Sequence, residues 1–232
     1  RGGGPVTCRG NAVRAARAAG VVVTRPASAA AQRGGVASAV NPEALTAPPQ
    51  QADRTLVVGH GVVFNEKITT GSEGQAQLLM LDQSGLTVAP NSELVIDKFV
   101  YDPDSNTGEM ALSLSRGLVR FVGGRLSKSG SASIATPVAT MGIRGTDFVV
   151  GVGASGSTAV AVLDGAVEVT SAAGQSAVVE AGFTGVTDGE GVDVSPTVGV
   201  PALSNLVFGL VTETPDQDTN EDESSEDGDS PD

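Results

Sequence analysis

Ile134 to Val152 reads I-A-T-P-V-A-T-M-G-I-R-G-T-D-F-V-V-G-V. Thr136-Pro137 opens the stretch as a turn, because proline has a fixed φ and no N–H to give to a ladder. Met141 to Thr146 then predicts a tight bend, with Gly142 and Gly145 supplying backbone angles that other residues avoid. Asp147-Phe148-Val149-Val150 leaves as a β-rich run. Arg144 stands between the two glycines, where the chain is expected to turn most sharply. Its guanidinium is expected to satisfy corner carbonyls or to pair with Asp147 or another carboxylate. The sharper alternative is contact with a partner.

The same rhythm extends in both directions. From Leu56 to about Val194, short β-rich runs recur every eight to twelve residues or so, punctuated by glycine, asparagine or aspartate. Met110, Leu112 and Leu114 alternate with Ala111, Ser113 and Ser115, the pattern of a strand buried on one face. Val160 and Val162, then Asp164-Gly165, then Val167 and Val169 predict a hairpin with a two-residue turn. Aromatic residues make up 3% of the chain, there is no tryptophan, and glycine occurs 31 times. The expected core is therefore thin and made of Val, Leu, Ile and Ala. The expectation is an all-β fold, a twisted solenoid-like stack of short strands, with an antiparallel β-sandwich as the alternative.

Composition divides the chain further. Residues 1–33 carry arginines ahead of Val21-Val22-Val23 and a small-residue run at Ala29-Ala30-Ala31, a degraded signal-like or disordered head. Residues 34–54, with Asn41-Pro42 and Pro48-Pro49, read as a linker. The β-domain is expected over 55–200. In Pro201 to Thr212 the period changes: Leu203, Leu206, Val207, Leu210 and Val211 fall at helical spacing, a short capping helix or else one more strand. Residues 213–232 hold ten acidic residues and no basic one, an acidic disordered tail.

The net charge of −13 disfavours a phosphate backbone as partner, so nucleic acid is excluded. One cysteine, Cys8, excludes an internal disulfide and a cysteine metal cage. No run reaches about 18 apolar residues, so no membrane span is expected. Gly151 to Gly156 fits G-x-G-x-x-G but runs into the β-rich Thr158–Leu163, whereas a dinucleotide site needs a helix there. Asp102, Asp104 and Asn106 alternate as in a calcium loop, yet Thr107 occupies the position that needs glycine. That segment reads as an inter-strand loop, with weak calcium binding as its alternative. His60, the sole histidine, lies between Gly59 and Gly61 and reads as a turn residue rather than a packed base. Glu66 and Glu93 are expected to accept from corner N–H groups.

Ten residues of the opening stretch carry a family resemblance: Thr136, Pro137, Ala139, Thr140, Gly142, Ile143, Arg144, Gly145, Thr146 and Phe148. In their order and spacing they resemble the signature of the FecR-type domain. The resemblance extends through Val63–Leu78, Pro90–Ile96 and Leu114–Phe121, and covers roughly Val57 to Val186. It implies an all-β sensing domain of the kind found in the periplasmic part of iron-uptake regulators that restrain a sigma factor. It implies equally the stand-alone exported members of that family. On this reading the protein is not an enzyme and takes no cofactor. It acts as a periplasmic or extracellular sensing or interaction module with a protein partner in the cell envelope. The functional alternative is a structural or carbohydrate-binding surface module. Thr136, Pro137, Gly142, Arg144, Gly145, Thr146 and Phe148 are the residues expected to matter, for structure or partner contact.

Overall fold

The computed structural model describes residues 2–3 and 33–197. The expected head, the capping element at 201–212 and the acidic tail at 213–232 therefore lie outside the described residues, apart from isolated positions of the head. Many of the strands alternate buried apolar with more exposed side chains, as β6 and β7 do. In chain order they are β1 (Arg33–Val40), β2 (Ala44–Ala47), β3 (Arg54–Thr55), β4 (Gly61–Val63), β5 (Glu66–Thr70), β6 (Ala76–Met80), β7 (Gly85–Val88), β8 (Glu93–Asp102) and β9 (Thr107–Val122). A single helical turn follows, α1 (Arg125–Lys128). Then come β10 (Ala132–Ala135), β11 (Ala139–Val152), β12 (Thr158–Ser171), β13 (Ser176–Glu180), β14 (Phe183–Thr187) and β15 (Asp193–Pro196).

The fold is all-β, and among the described residues fifteen strands form one mixed sheet. Every pairing is antiparallel except that of β10 with β9. Three long strands, β9, β11 and β12, each change partners part-way along. Their N- or C-terminal portions belong to two different half-sheets. The first runs β3–β2–β5–β8–β9–β10–β11–β12–β13. The second runs β4–β1–β6–β7–β9–β11–β12–β14–β15. In the first, β10 is wedged between β9 and β11. In the second, β9 and β11 pair directly.

Each change of partner falls at a glycine with positive φ. Gly117 (φ +85°) divides the β8-paired part of β9 from the β11-paired part. In β11 and β12 the register skips between Arg144/Ala166 and Asp147/Asp164. Gly145 and Thr146 on one strand thus oppose Gly165 on the other, a bulge in which two residues face one. Gly145 has φ +60° and Gly165 φ +79°. The expected tight bend at Met141–Thr146 is therefore a kink inside one continuous fourteen-residue strand, and only the second of its two glycines needs the left-handed region. Asp164-Gly165 is likewise no hairpin turn. It lies mid-strand in β12, because its neighbour β11 stays paired on both sides of the bulge. The real hairpin loop between these strands is Gly153–Ser157, closed by Gly153 N–H donating to Ser157 O at 2.9 Å.

Both half-sheets feed one core. Ile68, Leu94, Leu112, Ile134 and Ile143 from the first join Leu78, Leu86, Phe121, Phe148 and Val162 from the second in a single buried cluster. Phe121 and Phe148 meet with ring centroids 5.5 Å apart. The segment 34–54 is part of this sheet rather than a linker: β1 pairs with β4 and β6, and β2 with β3 and β5. Its Ala- and Gly-rich composition has low β propensity, but partner strands on both sides supply the ladder that propensity alone does not. The prolines that suggested a linker sit at or beside the turns between strands.

A Cβ on Gly117 would overlap Ser92, and one on Gly165 would lie 2.6 Å from the Gly145 carbonyl oxygen. Gly142, on the same strand as Gly145, has only the Glu168 Cβ near it, at 4.0 Å. Gly117→Ala and Gly165→Ala should each lower the unfolding free energy by at least ~2 kcal/mol. Gly142→Ala should stay within ~0.5 kcal/mol of the parent. Urea titration of the three variants measures the contrast.

Candidate functional site

The period-two pattern of β5 turns Glu66, Ile68 and Thr70 to the same buried side, so a carboxylate enters the core beside aliphatic neighbours. Glu66 is fully buried, and its oxygens are occupied. Oε2 accepts from the Val63 N–H at 2.7 Å; Oε1 accepts from the Thr46 hydroxyl and lies 2.7 Å from His60 Nε2. His60 itself is 14% exposed. The expectation that Glu66 serves a corner N–H is met at Val63. His60 does lie at a turn, its N–H donating to the Val57 oxygen at 3.1 Å, but its ring, expected not to be packed, is packed against Glu66. Chemically the group is a clamp joining β2, the β3–β4 connection and β5. Thr46 donates to the carboxylate rather than to the imidazole, so it is not poised as a nucleophile with His60 as its base.

A second buried carboxylate, Asp82, is not among the residues singled out from the sequence. It accepts from the Ser84 N–H at 3.1 Å, the Ser84 hydroxyl at 2.6 Å and the Leu126 N–H at 3.2 Å. Its backbone oxygen takes the Arg125 N–H at 2.8 Å. Asp82 therefore seats α1 against the β6–β7 turn. The available signal was Asp82-Gln83-Ser84-Gly85, a turn sequence in which Asp and Ser commonly bond nearby backbone. The distant partner in α1 was not legible.

Asp147 is paired, but with Arg120 instead of Arg144. The Arg120 Nε and Nη2 donate to its two oxygens at 3.1 and 2.8 Å, a bidentate fork. These hydrogen bonds to Asp147 raise the Arg120 pKa above its usual value, against the opposing effect of burial. Glu93 sits at the surface, 3.8 Å from Arg116 and within 3.3 Å of the Ser115 hydroxyl.

The motif residues divide by the face they occupy. Thr136 closes the β10–β11 turn through its N–H to the Ala139 oxygen at 2.8 Å, and its hydroxyl accepts from the Ala139 N–H at 3.1 Å. Pro137 stands in that turn. Gly145 forms the bulge. Thr146 is buried, with its backbone oxygen accepting from the Gly123 N–H at 2.8 Å and its hydroxyl without a partner. Phe148 is in the core. Gly142 and Arg144 point the other way, to the surface. Among the described residues Arg144 has neither an ion pair nor a side-chain hydrogen bond, contrary to the expected corner or Asp147 partnership. It lines a shallow depression of about 400 Å³ with Gly142, Gly130, Ser129, Ala166 and Glu168. A second depression adjoins it through Gly130 and Gly142.

In the loop at Asp102, the carboxylate accepts from the Asp104 N–H at 3.0 Å and the Ser105 hydroxyl at 2.7 Å. Hydrogen bonding from Ser105 and Asp104 lowers its pKa. The Asn106 oxygen accepts from the Tyr101 hydroxyl and the Arg125 guanidinium. Those oxygens serve the loop, and the Arg125 charge opposes a cation beside Asn106.

Residues 66–168 match the family model described as FecR protein. The chain carries a FecR domain. That domain begins at the buried Glu66, contains the Arg120–Asp147 fork and the Gly145 bulge, and ends on β12. Two crystal structures, at 1.65 and 2.50 Å, of a candidate anti-sigma factor from Parabacteroides distasonis ATCC 8503 are similar to this chain. The identities are 16% and 17%, the TM-score is 0.46, and 56% of this chain is covered in each case. This chain spans 59% of the length of those proteins. No curated protein matches it.

The clamp at the start of the FecR domain predicts a steep response. Glu66→Ala should cost about 3–5 kcal/mol, since it removes the acceptor of three buried or part-buried donors. His60→Ala should cost less, about 1–3 kcal/mol. Equilibrium urea unfolding gives both values.

Proposed function

We propose that this FecR domain is a non-catalytic sensing or protein-interaction module of the bacterial envelope, exported and linked to signal transduction. The observation that carries the reading is Arg144. Within a motif where Thr136 closes a turn, Gly145 forms the bulge and Phe148 fills the core, the one charged side chain besides Asp147 is exposed and unpaired among the described residues. A guanidinium costs little to leave in water and gives five directed donors to an incoming carboxylate or carbonyl. The depression beside it, floored by Gly142 and Gly130, leaves room for a backbone to approach.

The non-catalytic part of the proposal is supported by how the acids are used. Glu66, Asp82 and Asp147 each spend their oxygens on hydrogen bonds that hold strands, turns or α1 together. No helix among the described residues is long and apolar enough to cross a membrane. The carbohydrate alternative has less support: Phe121 and Phe148 are core residues, and Tyr101 lies beside Phe99 with its hydroxyl engaged by Asn106.

Arg144→Glu separates a contact role from a structural one. Its unfolding free energy should remain within ~0.5 kcal/mol of the parent, as for other exposed substitutions. In affinity capture from envelope extracts, a protein retained by the parent should be lost by the variant. Retention of the same protein by both, or a large fall in stability, overturns the assignment.

A further inference from the structure

Arg144 has a counterpart on its own face. The pairings of β10 to β13 place Ser133, Gly142, Glu168 and Val178 in one outward row across the first half-sheet, with Arg144 and Ala166 in the next. Arg144 and Glu168 are therefore diagonal neighbours on adjacent strands, a separation of about 7–8 Å. Like Arg144, Glu168 is exposed and has neither an ion pair nor a side-chain hydrogen bond among the described residues. Lys128, whose side chain passes beside Gly145, adds a second cation on the Arg144 side. Glu180, opposite Ala166, adds a second carboxylate on the Glu168 side. The surface around them is hollow. The depression of about 400 Å³ beside Arg144 continues through Gly130 and Gly142 into one of about 370 Å³ that reaches Gly108 and Glu109. Glu109 is already held there by Lys98 at 2.6 Å. The whole trough crosses β9 to β13, four strand spacings or roughly 19 Å. Its floor is low because of Gly142, whose place in the strand does not require a glycine. The φ of Gly142 is not left-handed, and a Cβ there would meet only Glu168, at 4.0 Å.

We infer that the trough binds an extended segment of a partner protein in which one acidic and one basic residue stand two positions apart, the acid on Arg144 and the base on Glu168. The inference rests on the reading of Arg144 as a contact residue and names the chemistry that it contacts. In an extended chain, residues i and i+2 point to the same side about 6.7 Å apart, which matches the diagonal from Arg144 to Glu168. Adjacent residues point to opposite sides. A trough of roughly 19 Å holds about five or six extended residues, and the missing side chain at Gly142 lets their backbone lie close to the sheet. Val178, 57% exposed beside Glu168, offers an apolar contact to the stem of the bound base. Charge selects here as well as attracts. A segment with two acids sets one of them against Glu168, and a segment with two bases sets one against Arg144, where like charges repel.

The test measures the fluorescence anisotropy of labelled, end-capped pentapeptides titrated with the full-length chain at about 0.15 M salt. Thr-Asp-Thr-Lys-Thr should bind at least about fivefold more tightly than Thr-Asp-Thr-Asp-Thr, Thr-Lys-Thr-Lys-Thr or the adjacent-charge Thr-Asp-Lys-Thr-Thr. The net charge of −13 favours the doubly basic peptide at long range, so a preference for the neutral one is local. Arg144→Glu should move the preference to Thr-Lys-Thr-Lys-Thr, and Glu168→Arg should move it to Thr-Asp-Thr-Asp-Thr. Misfolding does not produce a gained preference. Gly142→Val should raise the floor and weaken binding of Thr-Asp-Thr-Lys-Thr at least about fivefold. Equal affinity of the parent for all four peptides, or an unaltered preference in both charge variants, overturns the inference. If Arg144→Glu then still loses the protein captured from envelope extracts, the contact reading stands without this kind of partner; if it loses nothing, both fall. A parent that sediments as a dimer, dispersed by each charge reversal and restored by the two together, assigns the trough to a second copy and overturns the inference as well.

Discussion

Three strands here belong to two half-sheets at once, and the backbone has to turn within each without losing its ladder. That constraint is met at Gly117 in β9 and at the opposed Gly145 and Gly165 in β11 and β12. A side chain at Gly117 would collide with Ser92, and one at Gly165 with the Gly145 carbonyl and Thr146. The kinks therefore require both a left-handed backbone and the absence of a Cβ. Everything larger follows from them. The partner change lets β10 enter between β9 and β11 on one side while those strands pair directly on the other, and lets both half-sheets bury their apolar faces in one core.

A sheet assembled in this way has few aromatic residues and compensates with polar clamps placed where turns must be fixed. Glu66 ties together three early segments, Asp82 seats α1, and Arg120 grips Asp147 next to the bulge. Such buried or half-buried carboxylates are costly unless every oxygen is satisfied, and in these three cases the oxygens are. Thr146 is the exception, its hydroxyl unpartnered inside the bulge. The consequence for function is that Glu66, Asp82 and Asp147 are committed to architecture. Arg144 is different. It sits one residue before the bulge, held out from the sheet by the alternation that sends Ile143 inward. The FecR domain thus carries a charged surface feature rigidly placed by the element that also shapes the fold.

The outer faces of the half-sheets extend this logic. One carries Arg144 with Glu168 and the exposed Val178; the other carries the Arg120–Asp147 fork and, beside Leu118, an uncharged groove.

The sequence by itself determined the strands and the β class, because alternation such as Met110–Leu112–Leu114 is a local property that any strand partner would exploit. It also determined the family signature around Arg144. Only the tertiary structure decided which glycines are kinks inside strands and which are turns. Asp164-Gly165 has the composition of a hairpin turn, and it is a bulge solely because β11 stays paired on both sides of it. The same holds for β1 and β2, whose Ala- and Gly-rich residues become strands through neighbours far along the chain. It holds too for the partner of Asp147, since Arg120 is 27 residues away while Arg144 is only three. Charge pairing across a sheet depends on register and on which face each side chain takes, and those are fixed by long-range pairing that no local pattern encodes.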